Sequence, residues 1–438
     1  MTILFTILAL ALVIAQFSLP KRLAFLPLIL AVVHFQNVPV FNIGVAFSAT
    51  KLIVLAGLIR AKTEGRFVWS SNQKTDLWIL IWAVFAVFTA FFHQPKFVNP
   101  FTQRLSLVYD VFGSYLYARA FIKSHDDFIR FLKCLAYAIL PLVVLIGVEK
   151  FAHTNIYYLM GDIQQGVAIR EGRVRASGSF SHPILMGTYG ATSFLLLVGL
   201  LRVDRKSLKW GLAASAAVVF CSASSGPLMT LFSGLMVMGL WKFRESVGWI
   251  RRVVLFTVAL LHIVMQAPVW YLMARIDLAG GSTGWHRAEL ITAAVNHLHE
   301  WWLIGTDVTR HWMPYGVEWN AEHIDITNHY IYMGVTGGVF LIFAYVMIIL
   351  KAFEALGKKM TALRKLKDPS EFTLWCVASV LFANCFTFIS ISYFDQSNAQ
   401  LSMILGSIPA LCKASKIVAA SKTDNTSQKN PSTSEQSK

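Results

Sequence analysis

Charge is scarce in this chain. Of its 438 residues only 14% are Asp, Glu, Lys or Arg, 56% are hydrophobic, and mean hydropathy is +0.56. A soluble globular domain carries about 25% charged residues, so the composition argues against a water-soluble fold. Cysteine is also sparse. The five present, Cys134, Cys221, Cys376, Cys385 and Cys412, form no CxxC pair and all fall within or beside long apolar runs, which sets aside disulfides and a thiolate metal site. No repeat of fixed period is visible, and this disfavours a transporter built from inverted repeats. Alternating ten-residue segments of the kind that make a membrane barrel are missing as well.

What is present is a series of apolar runs of membrane-crossing length, separated by short charged or Pro/Gly-containing breaks. They predict an all-α, polytopic integral membrane helix bundle of about 12 or 13 crossings. The expected spans lie near residues 3–19, 23–38, 43–59, 77–92, 105–122, 131–148, 184–201, 208–221, 227–241, 253–271, 326–350, 372–391 and 401–412. The expected organisation is N-terminal helices over 1–148, an external loop over 149–183, central helices over 184–271, a large external loop over 272–325, C-terminal helices over 326–412 and a disordered cytoplasmic tail over 413–438. The first run lacks a basic start and a small-residue cleavage site, so it reads as a retained span and not a signal peptide.

Lys and Arg set the sides, because basic loops resist translocation. Alternate connections are rich in them, for example Arg60, Lys62, Arg66 and Lys74, or Arg202, Arg205, Lys206 and Lys209. Much of the formal charge of +16 is thereby explained as topology, and no nucleic-acid role is needed to account for it.

The external loops hold the residues suited to chemistry. Arg170, Arg173 and Arg175 run against the positive-inside bias, and a guanidinium at the interface can grip phosphate oxygens through paired hydrogen bonds. Contacts with lipid headgroups, or pairing with Glu171 and Asp162, are the structural alternatives. The second loop holds His286, His297, His299, His311 and His323, with His329 at its end. His297 and His299 are two apart, so on a helix they face apart, and no HExxH spacing occurs; on spacing, no metal site is expected. Residues 285–302 predict an amphipathic external helix with Trp301 and Trp302 at its end, either a lipid-facing element or a cap on the bundle. His329 stands where the loop enters the next span, either as a proton-exchanging group or as a helix-end histidine satisfied by a backbone carbonyl.

Three segments in one order, RASGSFSHPILMGTY (175–189), SASSGPLMTLFSG (222–234) and WHRAELITAAVNHLHEWWLIGT followed by TNHYIYMGVTGG, resemble the O-antigen ligase and O-antigen polymerase superfamily of bacterial envelope polysaccharide assembly. The resemblance implies a glycosyltransferase that moves an undecaprenyl diphosphate-linked glycan to an acceptor sugar hydroxyl at the outer face of the cytoplasmic membrane, with no cofactor and no metal. It implies His329 as the group that activates the acceptor and Arg175 and Arg287 as diphosphate ligands. Many members have an arginine in the serine-rich turn where this chain has Ser224, Ser225 and Gly226, and Arg173 is the candidate substitute. Polymerase is favoured slightly over ligase, and chain-length regulators or other polysaccharide-assembly proteins are admissible partners. The competing class is a multi-spanning transporter of a small anion or glycan, which predicts mid-span charges and broken helices.

Overall fold

A computed structural model describes residues 3–36, 39–42, 46–67, 73–94, 99–161, 166–275, 284–314, 321–394 and 396–413; the tail after 413 and parts of both external loops lie outside the described residues. Among the described residues the chain is all-α but for two short hairpins. In order the elements are α1 (Ile3–Ser18), α2 (Leu26–His34), β1 (Pro39–Asn42), β2 (Ala46–Ser48), α3 (Ala49–Thr63), α4 (Lys74–Thr89), α5 (Pro100–Val108), α6 (Ser114–Phe121), α7 (His125–Ala152) and α8 (Ile156–Gly161). Then follow β3 (Ala168–Arg170), β4 (Arg173–Arg175), α9 (Pro183–Leu197), α10 (Arg205–Cys221), α11 (Ser225–Gly239), α12 (Val247–Val264), α13 (Gly284–Asn296), α14 (Leu298–Trp301), α15 (His329–Lys365), α16 (Ser370–Thr387) and α17 (Ser397–Leu411).

Seven of the described helical segments are long and apolar enough to cross a bilayer, beginning at Lys74, His125, Pro183, Ser225, Val247, His329 and Ser370. The other expected runs form shorter helices. The run at 23–38 shrinks to the nine residues of α2, and the run at 105–122 is built from α5 and α6 joined by a π-helical turn over Tyr109–Gly113. An extra residue in that turn breaks the regular i→i+4 ladder, a distortion often found at functional positions.

Apolar side chains cannot drive helices together in lipid as they do in water, so packing and buried polar contacts hold the bundle. The core runs through Trp82, Tyr115, Tyr117, Phe128, Tyr189 and Phe388, each almost fully buried. Polar clasps join helices within it. Asp76 of α4 accepts from Arg119 of α6 at 2.7 Å and from the Tyr115 hydroxyl, while Lys51 of α3 reaches Ser106 at 2.5 Å and lies 3.7 Å from Asp110.

One long helix is interrupted. Within α15, Gly337 and Gly338 leave helical geometry, and Gly338 sits at φ +76°, where a side chain would be strained. The freed backbone groups find partners within the protein: Val339 N–H donates to the Trp302 carbonyl (2.8 Å), Thr306 N–H to the Val335 carbonyl (3.0 Å), and Arg104 Nη2 to the Thr336 carbonyl (3.0 Å). The segment after α14 is thereby stitched into the break.

The helix expected over 285–302 is two helices with a break at His297. Its buried face carries Ala288, Leu290 and Ala294 as the pattern predicts, whereas Val295 and Leu298 are exposed. The paired tryptophans part company. Trp302 is exposed, but Trp301 is buried against Gly334 and donates its indole N–H to the Ala294 carbonyl (2.9 Å), joining a small core with Trp312, Ile324, Ile331 and Val335.

Candidate functional site

The loop between α8 and α9 folds into the β3–β4 hairpin, closed by a turn in which Glu171 and Gly172 both take positive φ. Ala168 pairs with Arg175 and Arg170 with Arg173 across the strands. Side chains alternate along a strand, so Arg170, Arg173 and Arg175 share one face and Val174, buried at 7% exposure, takes the other. The base of the hairpin is held from α7 and α10. Buried Glu149 accepts from Ser177 N–H (3.0 Å), Ser177 Oγ–H (3.2 Å) and Gly178 N–H (2.8 Å); Lys150 donates to the Val174 carbonyl, and Ala176 N–H donates to the Cys221 carbonyl at 3.0 Å.

Arg175 reaches the serine-rich turn directly. Its Nη2 donates to Ser224 Oγ at 2.7 Å and its Nε at 3.3 Å, while that hydroxyl donates to the Ser222 carbonyl at 2.8 Å. Ser224 precedes α11 but its side chain does not cap that helix. Among the described residues the N–H groups of Ser225 and Gly226 have no hydrogen-bond partner, so the positive end of the α11 dipole lies beside the Arg175 guanidinium.

Arg287, on the first turn of α13, closes the constellation from the second loop. Burial first, then the charges of Arg170 and Arg287, press the Arg175 guanidinium below its ordinary pKa. Arg287 is likewise lowered by burial, with Asp325 opposing and Arg170 adding to the shift, and its Nε is buried without a partner. His182, which caps α9 by accepting from Ile184 N–H at 3.1 Å, is pushed down to about 4 by burial and by Arg175. Like charges gathered in a partly buried place lower one another's hold on a proton and are relieved by an anion. The residues that share this field are Arg175, Arg287 and Arg170. Arg173 is exposed on the same face of the hairpin.

His329 lies wholly within the protein, at 0% exposure, ringed by Tyr332, Tyr345, Phe388 and Tyr393. In this arrangement the ring is therefore shut off from solvent. Its Nδ1 accepts the Tyr393 N–H at 3.2 Å, with Ser392 Oγ at 3.5 Å. A backbone amide only donates, so the neutral ring carries its proton on Nε2, and that atom is buried with no partner. The loop that holds His329 also touches the serine-rich turn: Asn328 donates to the Ile389 carbonyl (2.9 Å), His329 N–H to the Phe388 carbonyl (2.8 Å), and Ile391 packs on Gly226. The residues at 388–393 thus lie between the histidine and the Arg175–Ser224 pair.

Several of these parts escape a reading of the sequence. Arg170 belongs to the cluster only because the hairpin register brings it onto the face of Arg175. Glu149 looks like the polar end of a span and shows no sign of a role in holding the next loop. One further grouping comes from the fold alone: His297 meets Glu300 and His311, not His299, as a set of potential metal ligands.

The helices and their buried polar clasps define an all-α helical membrane protein. No protein-family model matches the chain, and no curated protein matches it.

Proposed function

We propose that this chain is a membrane glycosyltransferase of the O-antigen polymerase/ligase type, which transfers a glycan from undecaprenyl diphosphate to an acceptor sugar hydroxyl at the outer face of the bacterial cytoplasmic membrane. The observation that carries the reading is that Arg175, bonded to Ser224 just before α11, shares one electrostatic field with Arg170 of the same hairpin and Arg287 of α13, and that among the described residues no carboxylate lies within salt-bridge distance of Arg175 or Arg287. Departure of a diphosphate develops negative charge, which fixed guanidinium groups and helix N–H groups stabilise without a metal. Ser224 takes the place of the arginine that many similar proteins have there, and in doing so orients Arg175. Arg173, lying outward on the hairpin face, serves the approach of the carrier.

In the arrangement described, His329 Nε2 is a hydrogen-bond donor. Acting as the base that takes the acceptor's proton requires release of Nδ1 by Tyr393, hence movement of the 388–393 loop; without that movement its role is to donate to a sugar or phosphate oxygen. In this reading the shorter helices complete about 12 or 13 crossings, the segments 149–183 and 272–325 face outward, and the tail after 413 is cytoplasmic. Polymerase remains slightly favoured over ligase.

Transport is the second reading. It draws on the broken α15 and the buried Lys51 and Arg104. Against it, the groups freed by the break are satisfied within the protein, by Trp302, Thr306 and Arg104, and are not left for an ion.

The decisive experiment is complementation of cells lacking surface polysaccharide with wild type and with Arg175→Ala, Arg287→Ala and His329→Ala. Loss of product in the variants supports the assignment; full activity in all three overturns it. The lipid-linked material then separates the two acceptor types, since loss of long carrier-bound chains marks a polymerase and their accumulation marks a ligase.

A further inference from the structure

We infer that the second external loop carries a divalent transition-metal site of the zinc class, formed by His297, Glu300 and His311. The ligand atoms of these three residues lie within 4.8 Å of one another. His297 is the hinge between α13 and α14, Glu300 sits one helical turn later, and His311 comes from the short 3-10 turn Arg310–Trp312. Two separate pieces of chain thus present nitrogen and oxygen ligands to one point.

The carboxylate is the centre. Oε1 of Glu300 meets His297 Nδ1 at 2.7 Å and His311 Nε2 at 3.0 Å, and Oε2 meets His311 Nε2 at 2.9 Å. Without a metal, both rings must direct their N–H at this carboxylate. A cation replaces those two protons when each ring shifts its hydrogen to the other nitrogen, a tautomer change that releases no net proton. Zn–N and Zn–O bonds near 2.0–2.1 Å place tetrahedral ligand atoms about 3.3 Å apart. The separations from Glu300 Oε1 need to open by about 0.6 Å for His297 and about 0.3 Å for His311, and the two ring nitrogens must approach.

What distinguishes this grouping from a chance surface cluster is the support behind it. Trp312, itself buried, donates its indole N–H to Glu300 Oε2 at 2.9 Å, leaving Oε1 to the metal. Its ring also stacks on His297, with centroids 5.7 Å apart and planes 10° apart, and meets the small core of Leu290, Trp301, Ile331 and Val335. Partners of this kind fix ligand orientation in metal sites. Two imidazoles and a carboxylate suit Zn²⁺ by ligand type, with Co²⁺ as its spectroscopic substitute. The exposed His299, whose Nε2 is 3.8 Å from Glu300 Oε1, is within reach of the fourth position. Bound there, the ion staples α14 to the 310–312 turn, immediately before the segment that satisfies the break in α15. The role is structural and stands independently of glycan transfer.

The test uses the full chain in detergent, purified without a polyhistidine tag, stripped with chelator and desalted. On addition of Co²⁺ alone we expect one ion per chain with visible ligand-field absorption, displaced by Zn²⁺, and a rise in thermal midpoint with Zn²⁺. The double variant His297→Ala/His311→Ala should lose both responses and Glu300→Gln should weaken binding at least tenfold, whereas the exposed His153→Ala should behave as wild type. Should the double variant not fold, X-ray absorption at the zinc edge of the wild type decides, by finding or not finding imidazole in the first shell. Failure of the stripped wild type to take up Co²⁺, a first shell without imidazole, or a folded double variant that binds as wild type does would each overturn the site.

Discussion

Replacing Glu149 should damage the protein more than its position at the end of a membrane helix implies. Its side chain is 1% exposed and accepts three hydrogen bonds from Ser177 and Gly178, the residues that follow Arg175. Glu149→Ala strands the two backbone N–H groups in a place water does not reach, and each orphaned donor costs about 1 to 3 kcal/mol. The expected loss is therefore about 2 to 6 kcal/mol. Asn155, which donates to the Gly178 carbonyl at 3.1 Å, keeps the turn from collapsing altogether. Glu149→Gln retains one acceptor and turns an amide NH₂ towards the other donor, so its loss should fall between those of wild type and Ala. Equilibrium unfolding in mixed detergent micelles reads the stability. Complementation at a temperature where the variant remains folded reads whether Arg175 has lost its place. A Glu149→Ala protein within about 0.5 kcal/mol of wild type, the range of an ordinary surface change, would refute the argument.

Inorganic diphosphate should raise the thermal midpoint of the wild type, by an amount corresponding to about 2.7 kcal/mol at a hundred times its dissociation constant, and the gain should vanish in Arg175→Ala/Arg287→Ala. Among His329 variants, Gln preserves an N–H donor near the Nε2 position; partial activity in His329→Gln with none in His329→Ala marks a donor, whereas equal loss in both marks a base. Gly338→Ala should cost about 1 to 3 kcal/mol because φ is +76° and the added carbon would press on the Trp302 and Leu303 carbonyls. Gly357→Ala in the same helix, with open space around it, should not destabilise, and thermal scans compare the two. For pH, His182 titrates near 4 in the folded chain against 6.5 unfolded, so the unfolded state binds the extra proton first. Stability should consequently decline as pH falls from about 6.5 towards 4, and His182→Asn, which keeps a capping side chain but does not titrate, should flatten that stretch of the midpoint-versus-pH curve.

Long apolar runs and scarce charge were enough to read a helical membrane protein, because runs of that length satisfy their backbone hydrogen bonds in lipid as helices. Arg170, Arg173 and Arg175 also stand out in the sequence, as basic residues crowded into one connection between apolar runs. Particular details resisted such reading. The fifth run is two helices joined by a π turn, and α15 breaks at Gly337–Gly338, because partners distant in sequence, Arg104, Trp302 and Thr306, satisfy the backbone there. Only the tertiary structure chose Arg170 as the third member of the charged cluster, gave the Nδ1 of His329 to Tyr393, and brought His311 to His297 and Glu300. Each of these depends on contacts between segments that no local spacing encodes: strand register, the path of the 388–393 loop, and the packing of Trp312 with Leu290, Trp301 and Ile331.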